Sequence, residues 1–148
     1  MSDARPLLEV EDLRVEFVTR VGLVRAVRGV SFTVGREKVG IVGESGSGKS
    51  QTGRAILRLT PQPGRVTAKK LAFDGIDLRA ADERTMRDIR GKRIAMVLQD
   101  PKFSLNPVMK VGKQIAEAYR AHGGVDAKSA ERKALAMLAA VKMRDPDR

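Results

Sequence analysis

The sequence contains no cysteine and no tryptophan, and its other aromatic residues are four phenylalanines and one tyrosine. Without cysteine there can be no disulfide, thiolate zinc site or cysteine nucleophile, which suits a reducing compartment. The few aromatic residues leave little surface for stacking nucleic-acid bases. The longest unbroken apolar run is eight residues, 134–141, whereas a membrane helix needs roughly 20. The sequence therefore predicts a soluble or peripheral protein.

The charge is strongly positive. The 148 residues include 29 Lys and Arg against 18 Asp and Glu, for a formal net charge of +11. Such an excess is compatible with nucleic acid, an anionic membrane surface or an anionic nucleotide as the partner, and also with a solvated, arginine-rich surface. The length fits one domain with a sizeable core.

The most specific motif is the run Gly43–Ser50, Gly-Glu-Ser-Gly-Ser-Gly-Lys-Ser, which matches the phosphate-binding P-loop pattern. Its glycines let the backbone curl so that successive N–H groups face an anion. Lys49 is expected to reach the β- and γ-phosphates, and the Ser50 hydroxyl to ligate Mg²⁺. The alternative interpretation is a surface turn rich in glycine and serine.

The segments beside this motif favour the phosphate-binding interpretation. Lys38–Val42 before it predicts a short buried strand. After it, Ala55, Ile56 and Leu59 would share one face of a helix that ends at Thr60-Pro61. A helix that begins at the loop adds its dipole and free N–H groups to the anion site. The sequence thus predicts a site for a nucleoside triphosphate.

Several other segments have apolar patterns that are typical of β-strands. Alternating apolar residues over 8–17 change phase near Glu11-Asp12, which predicts a strand with a bulge. A second alternating stretch, 30–34, predicts an antiparallel neighbour. The continuous apolar run Ile94–Leu98 is typical of a strand covered on both faces. Asp74-Gly75 predicts a hairpin turn.

Helix signals follow in the second half. Asp82 is expected to cap a short helix that carries Met86 and Ile89 and closes at Gly91. Asn106-Pro107 would open the next helix, and Asp126 would cap the last. The predicted apolar faces of these last two helices are Val111, Ile115, Ala118 and Tyr119, with Gly123-Gly124 as the end, and then Ala130, Ala134, Met137, Leu138 and Val141. His122 is predicted to be a solvated surface residue.

These motifs together resemble the nucleotide-binding domain of ABC transporters, and in particular the ATPase subunits of dipeptide, oligopeptide and nickel importers. The resemblance covers essentially the whole chain. The segments that carry it are Phe17–Arg20, Ala26–Phe32, Gly40–Ser50, Arg90–Met96, Gln99–Pro101 and Ser104–Pro107. The P-loop is specific for the superfamily, and Gln-Asp-Pro followed by Ser-Leu-Asn-Pro is specific for the peptide and nickel group.

The resemblance implies a role for particular residues. Phe17 stands where the family places an aromatic ring against adenine; the alternative is a strand aromatic that faces the core. Lys49 and Gln99 would be catalytic, and Ser50 and Gln99 would contact Mg²⁺. Ser104–Pro107 would lie near the surface that receives the permease. The expected ATP-binding residues are Phe17, Gly43, Ser45, Gly46, Ser47, Gly48, Lys49, Ser50 and Gln51.

The fold implied is α/β: a P-loop NTPase of the ABC type with an antiparallel N-terminal β-subdomain. Its expected parts are the β-subdomain at about 1–36, the P-loop core through the Gln99 loop at 37–100, and the start of the helical subdomain at 101–148. The family's signature motif and its second acidic strand motif are absent from the sequence. We therefore expect the chain to be the N-terminal portion of a longer protein and to be inactive alone.

The function implied is ATP binding and hydrolysis that drive import of di- or oligopeptides, or of nickel. The resemblance further implies transmembrane permease subunits, a second ATP-binding subunit and, indirectly, an extracytoplasmic substrate-binding protein as partners. It places the protein peripherally on the cytoplasmic face of the inner membrane, with no nucleic-acid partner. Two alternatives remain: a non-transport ABC ATPase that acts on nucleic acid, and a short non-catalytic module that senses nucleotide.

Overall fold

The computed structural model describes residues 5–97 and 105–144. The chain forms two compact units, Met1–Met86 and Arg87–Arg148. The first unit carries a sheet and one helix with the phosphate-binding motif. The second carries a pair of helices, and a short helix, Glu83–Ile89, spans the point in the sequence where the two units divide.

The sheet of the first unit is antiparallel throughout. Its strands are β1 (Leu8–Thr19), β2 (Gly22–Val34), β3 (Gly64–Thr67), β4 (Lys70–Phe73) and β5 (Ile76–Asp77). They lie in the order β2-β1-β4-β5, and β3 pairs with the other half of β1. The predicted antiparallel subdomain is confirmed, but it recruits strands from 64–77 in addition to the N-terminal hairpin.

The predicted bulge in β1 is also confirmed. Val10 pairs with Phe32 and Leu13 pairs with Val30, so two residues of β1 oppose one residue of β2. Asp12 has φ 49, and its N–H donates to the Ser31 hydroxyl at 2.9 Å. Because the bulge adds one residue, Val10 and Leu13 both remain buried although they are three positions apart.

The hairpin between β4 and β5 turns where the sequence predicts. Asp74 has φ 49 and Gly75 has φ 80, the left-handed pair that a two-residue type I′ turn requires. The three residues before the turn, Leu71 to Phe73, are buried. This hairpin closes the edge of the core.

Helix α1 (Lys49–Ile56) is shorter than predicted. Arg58 adopts φ 54, and the N–H of Leu59 donates to the Arg54 carbonyl at 2.8 Å. This is the Schellman arrangement that ends a helix. Ala55 and Ile56 are buried as predicted, but the placement of Leu59 on the same face is wrong, because it lies beyond this end and is exposed.

The two predicted parallel-type strands do not form in the described residues. Neither 38–42 nor 94–97 is a strand, and the side chains of Val42 and Val97 are 96% and 92% exposed. The interpretation of both segments as buried strands is therefore wrong here. A strand covered on both faces needs paired neighbours, and none of the described strands pairs with either segment.

Three further helices follow: α2 (Glu83–Ile89), α3 (Val111–Gly123) and α4 (Ala127–Ala140). The predicted N-caps of α2 and α4 are confirmed: Asp82 accepts from the Thr85 N–H at 2.8 Å, and Asp126 accepts from the Ser129 N–H at 2.9 Å. The side-chain hydrogen bonds from Thr85 and Ser129, and after them these backbone bonds, hold the pKa of the Asp82 and Asp126 carboxyls below the ordinary value.

Asn106-Pro107 does not open a helix, contrary to the prediction. Helix α3 begins at Val111 with Lys110 as its cap. The Asn106 side chain instead accepts from the Val108 N–H at 3.1 Å, and its carbonyl accepts from the Met109 N–H at 3.2 Å. The asparagine therefore forms a local turn rather than a cap, as short polar side chains often do.

Helices α3 and α4 pack through small residues. Ala116, Ala130 and Ala134 form the buried cluster, with Ile115 and Tyr119 beside it. Leu138 is buried as predicted, but Val141 is 71% exposed. The predicted inward faces are also wrong at Val111 and Ala118, which remain exposed. Met137 is 50% exposed, but its sulfur accepts from the Tyr119 hydroxyl of α3 at 3.0 Å.

An ion pair fixes the strand connections beside β4. Arg79 contacts both carboxylate oxygens of Asp77, at 3.0 and 2.7 Å, and also donates to the carbonyls of Ala68 and Lys69. The hydrogen bonds from Arg79 lower the pKa of Asp77 from 3.8 to about 2. One side chain thus ties β5 to the turn between β3 and β4.

The titration of Asp77 should report this tie. Since its pKa is depressed in the folded state, its stabilising contribution is complete above about pH 4 and lost as the pH falls through about 2. NMR titration of the Asp77 carboxyl should give a midpoint near 2, rising towards 3.8 in Arg79→Gln. The exposed Arg65→Gln serves as control and should leave the midpoint unchanged. An unaltered midpoint in Arg79→Gln would contradict the assignment.

Candidate functional site

The Gly43–Ser50 loop runs directly into helix α1. Gly46 and Gly48 have φ 80 and 94, left-handed values that residues with a Cβ rarely adopt. The Ser47 N–H donates to the Glu44 carbonyl at 3.2 Å, which tightens the curl. The glycines therefore stand at two positions where the loop turns.

Gly48 also lies against the sheet. A Cβ on Gly48 would stand 2.4 Å from the Ala26 carbonyl oxygen and 3.2 Å from a methyl group of Val27. Both belong to β2, whose Val27 is buried. The absence of a side chain therefore lets the loop approach the backbone of β2, which anchors it.

The Lys49 ammonium group lies inside the loop. It donates to the carbonyls of Gly43 and Glu44 at 2.8 and 2.7 Å, and contacts the Ser47 hydroxyl at 3.3 Å. All these acceptors are neutral, and no ion pair in the described part of the chain involves Lys49. A full positive charge is thus held at the centre of the loop without a carboxylate to neutralise it.

The start of α1 adds to this positive field. Gly48 is the N-cap and provides no side-chain cap, and the first turn carries no acidic residue. The first N–H groups of a helix lack intrahelical partners, and the dipole makes this end positive. Thr52 secures the turn, since its N–H and its hydroxyl donate to the Gly48 carbonyl at 2.8 and 3.1 Å. Ser50 is exposed beside this end.

The side-chain oxygen of Gln51 is buried and has no hydrogen-bond partner among the described residues. Buried polar atoms are almost always paired. Gln51 belongs to the same first turn of α1 as Lys49 and Ser50. The first turn therefore has an unsatisfied acceptor in addition to its free donors.

Phe17 lies on β1, paired with Val24 on one side and Gly64 on the other. Its ring is half-buried, and its Cε1 atom is 2.8 Å from the position that a Cβ of Gly64 would occupy. The ring thus packs over β3. Such packing is expected of an aromatic residue that serves the sheet itself. Part of the ring remains exposed, so the stacking of Phe17 on adenine stays a prediction.

The remaining predicted residues belong to later segments of the chain. Gln99 and Ser104 lie outside the described residues. Asn106-Pro107 forms the turn before α3. His122, predicted to be solvated, is half-buried because its imidazole packs on Gly91, whose Cβ position is 2.7 Å from Nε2.

Sequence reasoning missed two polar residues that organise these segments. Thr52 is buried and holds Gly48, and its place four residues after this motif glycine is the only signal. Gln114 bonds the turn at Asn106. A glutamine beside the apolar face of a predicted helix, shortly after Asn-Pro, could have drawn attention to it.

The residues fit a nucleoside triphosphate with its metal. The uncompensated Lys49 charge, the free N–H groups of α1 and the left-handed glycines suit a chain of phosphates. The described residues contain no cluster of three acidic or imidazole ligands that could hold a metal alone. The donor set, a single exposed Ser50 hydroxyl, suits Mg²⁺, which is usually bound by few protein ligands together with substrate phosphates.

The helices within residues 5–97 and 105–144 include none with the length and apolar character that a membrane span requires.

Comparison with known proteins gives consistent relatives. The probable peptide ABC transporter ATP-binding protein y4tR of Sinorhizobium fredii is 49% identical over 96% of the chain and 43% of its own length. The oligopeptide transport ATP-binding protein OppD of Bacillus subtilis is 45% identical over 96% of the chain and 40% of its own length. The dipeptide transport ATP-binding protein DppD of Escherichia coli is 45% identical over 95% of the chain and 43% of its own length.

The chain thus spans about two fifths of the length of these curated relatives. The ABC transporter family model matches residues 27–148. This match confirms the predicted fold class, a P-loop NTPase of the ABC type with an antiparallel β-subdomain, and implies nucleotide binding. Because the match covers most of the residues and all of the Gly43–Ser50 loop, the chain belongs to the ABC transporter family.

Proposed function

We propose that this chain is part of the ATP-binding subunit of an importer, in which ATP binding and hydrolysis drive the uptake of di- or oligopeptides or of a related substrate such as nickel. The observation that carries the proposal is the Lys49 ammonium, held inside the loop by the carbonyls of Gly43 and Glu44 without an acidic partner among the described residues. The names of the curated relatives favour peptides over nucleic acid as the transported or processed material.

The residues of the loop would divide the work of holding ATP. Lys49 would exchange part of its bonding to loop carbonyls for the β- and γ-phosphates, to which charge-assisted bonds are stronger. The backbone N–H groups of Gly43, Ser45, Gly46, Ser47 and Gly48 would line the phosphate chain. The first N–H groups of α1, including that of Gln51, would face the same phosphates. Phe17 would stack on adenine.

Magnesium would be held by the Ser50 hydroxyl and the Gln99 side chain together with the phosphates. When bound, the ion neutralises phosphate charge as the terminal phosphoryl group leaves. Gln99, an amide that can both donate and accept, would also orient the attacking water. Lys49 stabilises the same developing negative charge by its fixed position in the loop.

The proposed division of labour along the chain follows its three predicted parts. Residues 1–36, joined by the strands at 64–77, would form the β-subdomain. The rest of 37–100 would form the nucleotide core, and 101–148 the start of the helical subdomain. The proposed partners are transmembrane permease subunits, a second ATP-binding subunit and, through the permease, an extracytoplasmic binding protein. The subunit would act on the cytoplasmic face of the cell membrane. The exposed turn at Asn106, with apolar Val108 at its tip, is the proposed contact with the permease.

The adenine role of Phe17 is tested by comparing two ligands. In Phe17→Ala, the affinity for ATP should fall by up to ~1–3 kcal/mol, the typical value of one base stacked on an aromatic ring. The affinity for inorganic triphosphate should hardly change, because that ligand has no base. Isothermal titration of the complete protein measures both.

The matched control is Phe32→Ala, which removes a half-buried ring from the neighbouring strand β2. It should leave the ratio of the two affinities unchanged. If Phe17→Ala weakens ATP and inorganic triphosphate equally, Phe17 is a packing residue of the sheet, as its contact with Gly64 would then explain.

A further inference from the structure

One side chain of helix α3, that of Gln114, bonds the preceding turn at three points. The Gln114 carboxamide accepts from the N–H of Asn106 at 2.9 Å and donates to the carbonyl of the same residue at 2.9 Å. Its second N–H donates to the Met109 carbonyl, also at 2.9 Å. The amide therefore pairs with the Asn106 backbone on both sides, as a neighbouring β-strand would, and reaches across the turn to Met109.

Among the described residues, few other hydrogen bonds hold the turn. Its own bonds are the Met109 N–H to the Asn106 carbonyl at 3.2 Å and the Val108 N–H to the Asn106 side chain at 3.1 Å. Pro107 has no N–H to offer. Residues 105–110 are all exposed, so no burial fixes their conformation. Gln114 itself is half-buried at the first turn of α3, where the helix fixes its backbone.

The three bonds require a glutamine. The position must supply one acceptor and two donors from the end of a side chain of this length, and only the carboxamide of glutamine does so. Glutamate has the same size but would present carboxylate oxygens to two carbonyls. Asparagine is one methylene shorter. With the oxygen on the Asn106 N–H and the nitrogen on the two carbonyls, every contact is satisfied in one orientation of the amide.

The turn presents an apolar tip. Val108 is 92% exposed, and Leu105 and Met109 are also exposed. An apolar side chain held outward by a fixed backbone is typical of a protein contact, and a contact loop fixed in advance loses less conformational freedom on binding. The turn belongs to the segment proposed above as the permease contact.

We propose that Gln114 is a positioning residue for the transporter: it holds the Asn106–Met109 turn in the conformation in which Val108 meets the permease. This inference rests on the proposed function, because it takes the transmembrane permease as the partner. Gln114 is not among the residues assigned to ATP. Its contribution is to assembly with the permease and not to nucleotide affinity.

The experiment uses the complete subunit and its transmembrane permease subunits in lipid nanodiscs, with docking affinity measured by interferometry. Gln114→Ala should weaken docking at least about tenfold. Its affinity for MgATP and its melting temperature should stay at the wild-type values. Hydrogen exchange at the peptide containing Val108 and Met109 should accelerate, because the turn loses three bonds. Lys113→Ala, one position earlier on α3, should change none of these quantities.

Val108→Asp tests the contact with the permease separately from the hydrogen bonds of Gln114. It leaves the Gln114 bonds intact, so exchange in the turn should stay as in the wild type while docking weakens as in Gln114→Ala. Docking of Gln114→Ala within twofold of the wild type would overturn the inference, as would unchanged exchange in the turn or a loss of docking that accompanies a general fall in melting temperature. A wild-type subunit that binds MgATP but not the permease would overturn the proposed function as well, and it is distinguished because docking then fails before any substitution.

Discussion

Replacing Lys49 by alanine should abolish most of the affinity for MgATP. The substitution removes a positive charge that the loop holds beside the helix start, together with the bonds to the Gly43 and Glu44 carbonyls. Charge-assisted hydrogen bonds to phosphate contribute more than neutral ones, and the expected loss is at least ~1.5–3 kcal/mol. This corresponds to an affinity lower by about 10- to 150-fold, which isothermal titration of the complete protein would measure.

The matched control is Lys38→Ala. Lys38 is an exposed lysine outside the loop, and its loss changes the net charge by the same amount. We expect the affinity of this variant to lie close to that of the wild type, since the charge of a solvent-exposed lysine is screened by salt. Equal affinities of the wild type and Lys49→Ala would contradict the assignment of the loop.

Replacing Gly48 by alanine should produce the largest loss of stability. Gly48 has φ 94, and its Cβ would stand 2.4 Å from the Ala26 carbonyl oxygen. The new methyl group meets a strained backbone conformation and a backbone atom of β2 that cannot rotate away. We expect a cost of at least about 2 kcal/mol in the free energy of unfolding, seen as a melting temperature lower by about 4–8 °C.

Gly46→Ala separates the effect of backbone strain from the effect of the contact with β2. Gly46 has φ 80, but its Cβ position has no atom within 4 Å. It bears only the backbone strain, about 1–2 kcal/mol, and should lower the melting temperature less than Gly48→Ala. If Gly46→Ala were equally or more destabilising, the contact between the loop and β2 would not anchor the site.

The features predicted correctly from the sequence are those fixed by local chemistry. Asp82 and Asp126 cap helices through bonds to residues three positions ahead, and Asp74-Gly75 forms its turn from two left-handed residues. The bulge at Asp12 follows from a change of phase in the alternation. Each of these signals needs only neighbouring residues, so a single sequence carries it.

The predictions that were wrong depended on partners elsewhere in the chain. A continuous apolar segment such as Val39–Val42 forms a strand only beside another strand, and none of the described strands pairs with it. Ala118 fits a helical apolar face by spacing, but the alanine contact between α3 and α4 is formed by Ala116, Ala130 and Ala134 and leaves Ala118 exposed. Arg58 ends α1 in a left-handed conformation that residue preferences would not predict.

In the candidate site too, the local features were predictable and the contacts with other segments were not. The motif located the glycine-rich loop, its lysine and its helix, because all three follow from residue types and spacing within Gly43–Ser50. It gave no indication that Lys49 bonds to the carbonyls of its own loop, or that Gly48 touches β2. The contact of Gly48 with β2 joins residues 22 positions apart along the chain, Ala26 and Gly48. Only a three-dimensional structure reveals it.

The most direct test of the central claim is hydrogen exchange, followed by mass spectrometry, of the complete protein with and without MgATP. The account predicts that MgATP slows exchange in the peptides covering Gly43–Gln51, where backbone N–H groups would bond to phosphate, and that Lys49→Ala removes this protection. Exchange that remains unchanged in Gly43–Gln51 at a saturating MgATP concentration would contradict the claim that this loop binds the nucleotide.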